Sequence, residues 1–248
     1  MVLDCGAEYQ GRSLNKELLS GPDLTNQIVG VLTRFRIDEI GIMADVEAMF
    51  YQVRIPENQR SFTRFLWWED EDFTKQPIDY EMTVHVFGAT SSASCSNYAL
   101  RRTALDNEEE FNQDVRQSLW KNFYVDDMLR SKKNVIESTQ FIYDIRRLCQ
   151  RGGFNLTKFI TNNRQVLASI PDEHVGPSLK DVKVNDDKMD ATDRALGISW
   201  NLQEDLFTFS FEMKEKPLTR RGILSTVSSI YDPLGFVSPF ILKGRIIL

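Results

Sequence analysis

Cysteine is scarce in this chain: Cys5, Cys95 and Cys149 are its only three in 248 residues, widely separated and without a Cys-x-x-Cys pair. That excludes a disulfide framework and a cysteine-based zinc site, and it reads as the reduced thiols of an intracellular protein. Histidine is scarcer still. His85 and His174 are the only two, and each is read as structural or solvated rather than catalytic. No run approaches the ~20 apolar residues of a membrane-spanning helix. The amino terminus, Met1-Val2-Leu3-Asp4-Cys5, has neither the basic region nor the apolar core of a secretory signal.

An excess of positive charge is also missing. Thirty Lys and Arg against thirty-six Asp and Glu give a net charge of -6. This argues mildly against a nucleic-acid binder, whose phosphate contacts need clustered cations, without excluding a local patch. Arg101, Arg102, Arg220 and Arg221 either line such a groove or make ordinary surface salt bridges. With 42% apolar and 27% charged residues, the chain is a folded globular protein of one domain, or one with a small appendage.

The informative stretch is Asn122-Phe123-Tyr124-Val125-Asp126-Asp127-Met128-Leu129. Aromatic and β-branched residues before two carboxylates, and Met128 and Leu129 after them, predict a β-hairpin with Asp126-Asp127 at its tip. Two carboxylates held close raise each other's proton affinity unless a cation lies between them, so the pair suits a divalent metal. The alternative is an acidic turn facing water. A second carboxylate stands at the end of Ile40-Gly41-Ile42-Met43-Ala44-Asp45, read as a buried strand. There Asp45 is either a cap for the next turn or the start of a ligand floor built by the apolar, aromatic run Val46 to Val53.

Around these lie further elements. Leu24, Ile28, Val31 and Leu32 predict a helix from Leu24 to Phe35. Arg64 to Trp68 and Tyr80 to Phe87 predict strands of one hairpin. Gly88 leads into a helix capped by Ser91 or Ser92, an entry suited to phosphate although such entries are common. A helix starting at Ser131 to Asn134 carries Phe141, Ile145, Leu148 and Cys149 on one face and ends at Gly152-Gly153. Phe154 to Phe159 is a strand, and Asp172 to Asp193 a linker or variable loop. Ala195 to Trp200 and Phe207 to Met213 are strands, the second aligning Phe207, Phe209 and Phe211. Helices then open at Pro217 and Ser238, the last still apolar at Leu248.

Six blocks in order carry a family resemblance: Met43 to Phe50, Val86 to Ser92, Asn122 to Asp127, Arg151 to Lys158, Ala195 to Trp200, and Pro217 to Thr226 onward to Tyr231-Asp232-Pro233-Leu234-Gly235. They resemble the reverse transcriptase of Bel/Pao-type long-terminal-repeat retrotransposons over essentially the whole chain. The resemblance implies an α+β polymerase right-hand palm, an antiparallel sheet backed by helices. Residues 1–40 would be partial fingers, 41–200 the fingers and palm core, and 201–248 the primer-grip strand and the start of the thumb or connection.

It implies RNA-directed DNA synthesis from a dNTP on a primed RNA or DNA template, with two Mg2+ ions, for which Mn2+ substitutes. Asp45, Asp126 and Asp127 would be catalytic and hold the metals with the Val46 carbonyl. Val46, Phe50, Gly88 and Lys158 would bind nucleotide, Phe50 by excluding a ribose 2'-hydroxyl and Lys158 near the leaving pyrophosphate. Retroviral relatives carry Gln where Phe87 stands. Ribonuclease H and integrase regions would lie outside this chain, and the compartment would be a cytoplasmic element particle, or the nucleus. The competing reading is an inert or co-opted fragment that only binds nucleic acid or a protein.

Overall fold

The computed structural model describes residues 3–184, 191–208, 216–217 and 219–247. In chain order the elements are α1 (Leu14–Glu17), α2 (Ile28–Phe35), β1 (Ile40–Val46), β2 (Arg64–Trp67), β3 (Ile78–Glu81), α3 (Ser92–Asp106), α4 (Gln113–Lys121), β4 (Phe123–Tyr124), β5 (Asp127–Lys132) and α5 (Val135–Arg151). Then follow β6 (Leu156–Thr161), α6 (Arg164–Ser169), α7 (Pro177–Val184), β7 (Thr192–Ala195), β8 (Ile198–Asn201), β9 (Leu206–Thr208), α8 (Arg220–Val227) and α9 (Ser238–Ile247). The mixture of helices with antiparallel strand pairs is the α+β class expected. Two compact units interleave along the chain.

One unit comprises Gln27–Asp45, Asp127–Phe141 and Thr157–Leu248. Its centre is β1, whose residues from Ile40 to Ala44 are all buried and whose Asp45 is only partly so. Continuous burial of an apolar run is what a strand covered on both faces demands. β1 lies between β5 and β6 and pairs antiparallel with β5, Ile40 opposite Lys132 at one end and Asp45 opposite Asp127 at the other. α2 packs on β5 through buried Val31, Leu32 and Phe35. Asn162 extends the ladder with its side chain, accepting from Gly41 N and donating to the Glu39 carbonyl.

In the same unit β7, β8 and β9 form a second antiparallel sheet. The run Ala195 to Trp200, expected as one strand, is instead a hairpin. Leu196 and Gly197 both have positive φ, 49° and 87°, which is what a two-residue type I′ loop requires. Trp200 on β8 is completely buried and meets Phe35 edge-on at 4.9 Å. Phe209, Phe211 and Met213 of the following expected strand lie outside the described residues, among which β9 covers Leu206–Thr208. α8 starts at Arg220 with Thr219 accepting from Gly222 N, and α9 starts at Ser238, close to where Pro217 and Ser238-Pro239 placed helix starts.

The other unit comprises Met1–Asn26, Val46–Asp126 and Ile142–Leu156. β2 and β3 form the expected hairpin, but β3 is displaced to Ile78–Glu81. Residues after Glu81 leave it to run beside Val53 to Ile55, through His85 N to Val53 O and Ile55 N to Thr83 O. The helix expected from Leu24 begins only at Ile28. Asp23 caps Thr25 N, and the Leu24 carbonyl accepts from Arg101, so a local cap and a long-range bond together outcompete the first turn. Between Asp106 and Phe123 lies α4, a helix capped by Asn112 that buries Val115, Ser118 and Leu119.

α5 buries Phe141, Ile145, Leu148 and Cys149, the face expected. It begins at Val135, because Ser131 and Lys132 are still paired in β5. After Arg151 the chain reverses through Gly153 at φ 79°, with Phe154 N bonding back to Cys149 O. The expected loop Asp172 to Asp193 also holds structure, namely α7 with Pro177 at its first position and the start of β7.

Candidate functional site

Asp45 and Asp127 face each other at the end of the β1–β5 ladder. Both are partly buried. Directly opposed residues of an antiparallel pair keep their Cβ atoms about 4.5–5.5 Å apart on one face, so the register alone brings two carboxylates together. Lys158 on β6 adds a cation. Its Nζ stands 3.0 Å from Asp45 Oδ1, and its backbone has φ 53°, a conformation that interrupts regular strand geometry and re-aims a side chain.

These three residues line a cavity of about 170 Å³ together with Met43, Pro177, Asp193, Arg194 and Leu196. Sequence reasoning missed Asp193 and Arg194. Asp193 accepts from Ser178 Oγ at 2.5 Å and from Arg194 N at 2.6 Å. Gly197, suited to the positive φ of a hairpin turn, was the available signal for a strand before it, since Thr192-Asp193-Arg194-Ala195 shows no apolar alternation.

Asp126 and Val46 belong to the other unit. Val46 is buried and donates its backbone N–H to the Asp126 carbonyl at 2.9 Å. The turn tip is Val125-Asp126 rather than Asp126-Asp127, because Asp127 already opens β5. Val125 has φ 55°, costly for a β-branched residue and characteristic of turns that a surrounding structure over-determines.

Phe50 and Gly88 also lie in that unit, linked through Phe87. The Phe50 and Phe87 rings are 4.7 Å apart, and Tyr51 meets Phe87 at 5.6 Å. Gly88 has φ 93°, and a Cβ there would come 3.0 Å from the Leu3 carbonyl. Asn15 clamps the turn from the far side, donating to Gly88 O and accepting from Thr90 N, both at 2.9 Å. Ser91 caps nothing with its side chain, and Ser92 donates to Val86 O instead. Arg101 and Arg102 have local duties: Arg101 bonds Leu24 O and stacks 5.3 Å over Trp120, and Arg102 pairs with Asp106.

Each histidine lies beside a hydroxyl. His85 Nδ1 lies 3.5 Å from Ser92 Oγ, and burial lowers its pKa below the ordinary 6.5; His174 Nδ1 lies 3.4 Å from Thr157 Oγ1. The cysteines are free, and burial pushes the Cys149 thiol up to about 12. Among the described residues no helix is long and apolar enough to cross a membrane.

Metal binding has a clear limit here. Among the described residues no group of three or more His, Cys, Asp or Glu is arranged to hold a metal ion. Mg2+, however, is usually held by one or two carboxylates, with water and substrate phosphates completing its shell. Two opposed carboxylates, one already carrying an ammonium group, fit that kind of substrate-completed site.

Comparison with known proteins agrees in fold. The chain is similar to the foamy viral protease-reverse transcriptase in complex with double-stranded DNA, with a TM-score of 0.55 and 15% identity over 92% of this chain. It is also similar to the foamy viral protease-reverse transcriptase in complex with an RNA/DNA hybrid, with a TM-score of 0.50 and 14% identity over 87% of this chain. It spans 32% and 24% of those two chains. Residues 219–248 match the family described as Pao retrotransposon-like RNaseH-like domain. The motif resemblance implies the start of a thumb there, whereas the matching family carries a different description. No curated protein sequence matches the chain. The structural matches show a shared fold, and the sequence match is confined to residues 219–248.

Proposed function

We propose that the chain carries the palm and part of the fingers of an RNA-directed DNA polymerase, extending a primer 3'-hydroxyl with a dNTP on a nucleic-acid template. The observation that carries this reading is the register opposition of Asp45 and Asp127 with the Lys158 ammonium 3.0 Å from Asp45. Asp45 and Asp127, with Asp126 joined to Asp127 by a peptide bond and the Val46 carbonyl beside Asp45, are the groups that would hold divalent ions. Bound Mg2+ or Mn2+ supplies acidification of the attacking hydroxyl and neutralisation of the triphosphate.

The chain's own residues do the rest. The paired carboxylates concentrate negative charge at one strand end, which draws cations and holds substrate phosphate only through them. Lys158, half-exposed and anchored on Asp45, is able to swing to a phosphate oxygen as charge builds on the leaving group. Phe50, braced by Phe87 at 4.7 Å, offers a fixed ring beneath a sugar, where a 2'-hydroxyl would collide. Gly88 lets the backbone pass close to the Leu3 carbonyl, and a residue without a side chain would likewise let a nucleotide approach the main chain. The foamy viral relatives were seen with duplex DNA and with an RNA/DNA hybrid, which supports a primed template as partner.

A second reading, a module that binds nucleic acid or protein without polymerising, draws on one observation. The Lys158–Asp45 ion pair already neutralises one carboxylate, and among the described residues no group of three or more His, Cys, Asp or Glu is arranged to hold a metal ion. Extension of oligo(dT) on poly(rA) with dTTP and Mn2+ separates the two. Activity that Asp126→Asn abolishes supports the polymerase; no extension from the folded chain, with template still bound, leaves the interaction module.

A further inference from the structure

A cavity of about 620 Å³ lies within the unit that contains Phe50 and Gly88, and none of the site residues above lines it. Its walls are mainly the side chains of Leu14, Leu18, Ile55, Phe62, Val86 and Ala89. This volume falls in the range of about 300–1,000 Å³ typical of small-molecule sites, which are mostly apolar with a few polar groups. The titratable groups lining it are Glu17, His85 and Cys95. Burial lowers the His85 pKa and raises that of Cys95, so both are neutral at pH 7. Glu17 is exposed and carries the one formal charge of the lining.

A pocket without a cation rejects phosphates, nucleotides and carboxylates, since burying an unpaired anion is costly. It accepts an uncharged apolar body. Asn15, next to Leu14, ties two of its walls: it bonds the Gly88 carbonyl and the Thr90 N–H on either side of Ala89. An occupant that spreads Leu14 and Leu18 away from Val86 and Ala89 strains those two bonds. The strain passes to Gly88 and to Phe87, whose ring meets that of Phe50 at 4.7 Å, tilted by 58°.

We propose that this cavity binds an uncharged, ring-bearing apolar small molecule and that its occupancy loosens the Gly88 turn. Binding stands on the cavity alone; its effect on nucleotide selection rests on the polymerase reading. Two dyes of one ring body test the binding, N-phenyl-1-naphthylamine, which is neutral, and 8-anilinonaphthalene-1-sulfonate, which is anionic. Binding is read by dye fluorescence and by N-ethylmaleimide alkylation of Cys95, followed by peptide mass spectrometry.

At ten times its Kd the neutral dye should slow Cys95 alkylation by about 10-fold, and the sulfonate should bind about 10-fold or more weakly than the neutral dye. Ala89→Phe, which projects a ring into the cavity, should weaken protection. Phe62→Ser, at an exposed wall residue, should weaken binding in a folded protein, whereas Phe73→Ser, an exposed aromatic outside the cavity, should not. Unprotected Cys95, equal affinity for both dyes, or equal loss in Phe73→Ser overturns the proposal. Protection of Cys95 in a chain that extends no primer leaves the binding site standing and removes only the polymerase reading. Hydrogen exchange at the Thr90 amide reads the loosening: faster exchange with dye supports it, and unchanged exchange overturns it.

Discussion

Trp200 donates its indole N–H to Asp205 at 2.9 Å, while Arg36 grips the same carboxylate at 2.5 and 2.7 Å. Arg36 also takes the Asp205 carbonyl at 2.8 Å. One acidic side chain thus satisfies a fully buried indole and a cation from the end of α2. Asp205→Ala strands both donors and should cost about 2–3 kcal/mol, with Asp205→Asn losing less. Urea denaturation with an unchanged m-value measures it; a loss below about 0.5 kcal/mol would show the network to be redundant.

Gly41 sits under that indole. A Cβ at this position would lie 2.7 Å from Trp200 Cη2 and 3.1 Å from Phe35 Cε2. Gly41→Ala should therefore destabilise by about 1–3 kcal/mol through overpacking, even though alanine suits a strand better than glycine. A variant as stable as wild type would mean that the indole has room to retreat.

Lys158 offers a separation of stability from chemistry. Its ion pair with Asp45 is substantially exposed, so Lys158→Met should change stability by less than about 1 kcal/mol. Under the polymerase reading primer extension should fall by about 100-fold, with Lys158→Arg recovering part of it. Unchanged extension in Lys158→Met would reduce the residue to a surface ion-pair partner.

Val125 at φ 55° carries a side chain poorly suited to the left-handed region. Val125→Asn should relieve strain of about 1 kcal/mol and raise the melting temperature, while re-aiming Asp126 and lowering extension. A lower melting temperature would show that packing of the valine methyls outweighs the backbone cost.

Burial lowers the pKa of His85 below its unfolded value of 6.5. The unfolded chain then binds more protons than the folded one between those two values, so stability rises with pH across that window and falls on acidification below 6.5. His85→Gln should flatten this component. Denaturation midpoints of both proteins between pH 5 and 8 decide it, and parallel curves would assign the whole acid loss to other groups.

What the sequence disclosed followed from strong local signals. The apolar run ending at Asp45, the face of α5 from Phe141 to Cys149 and the glycine stop after it were legible because period and punctuation agree there. The Asp45–Asp127 opposition was not, since register between segments some eighty residues apart is a tertiary choice. α4 escaped because Val115 and Leu119 are its only buried apolar residues, although Asn112 marked its start. The shift of α2 to Ile28 depended on Arg101, seventy-seven residues from Leu24. The turn at Leu196-Gly197 was hidden by an apolar run that reads equally well as one strand.

Asn15 has a history as well as a position. Its two partners lie 73 and 75 residues further along the chain, so at the usual pace of about 5–20 residues per second a ribosome needs roughly 4–15 seconds to deliver them. Throughout that interval the amino-terminal stretch has no Gly88 turn to hold. The clamp closes only once the helix entry emerges, and slower decoding between the two would lengthen the time this part of the nascent chain stays open to chaperones.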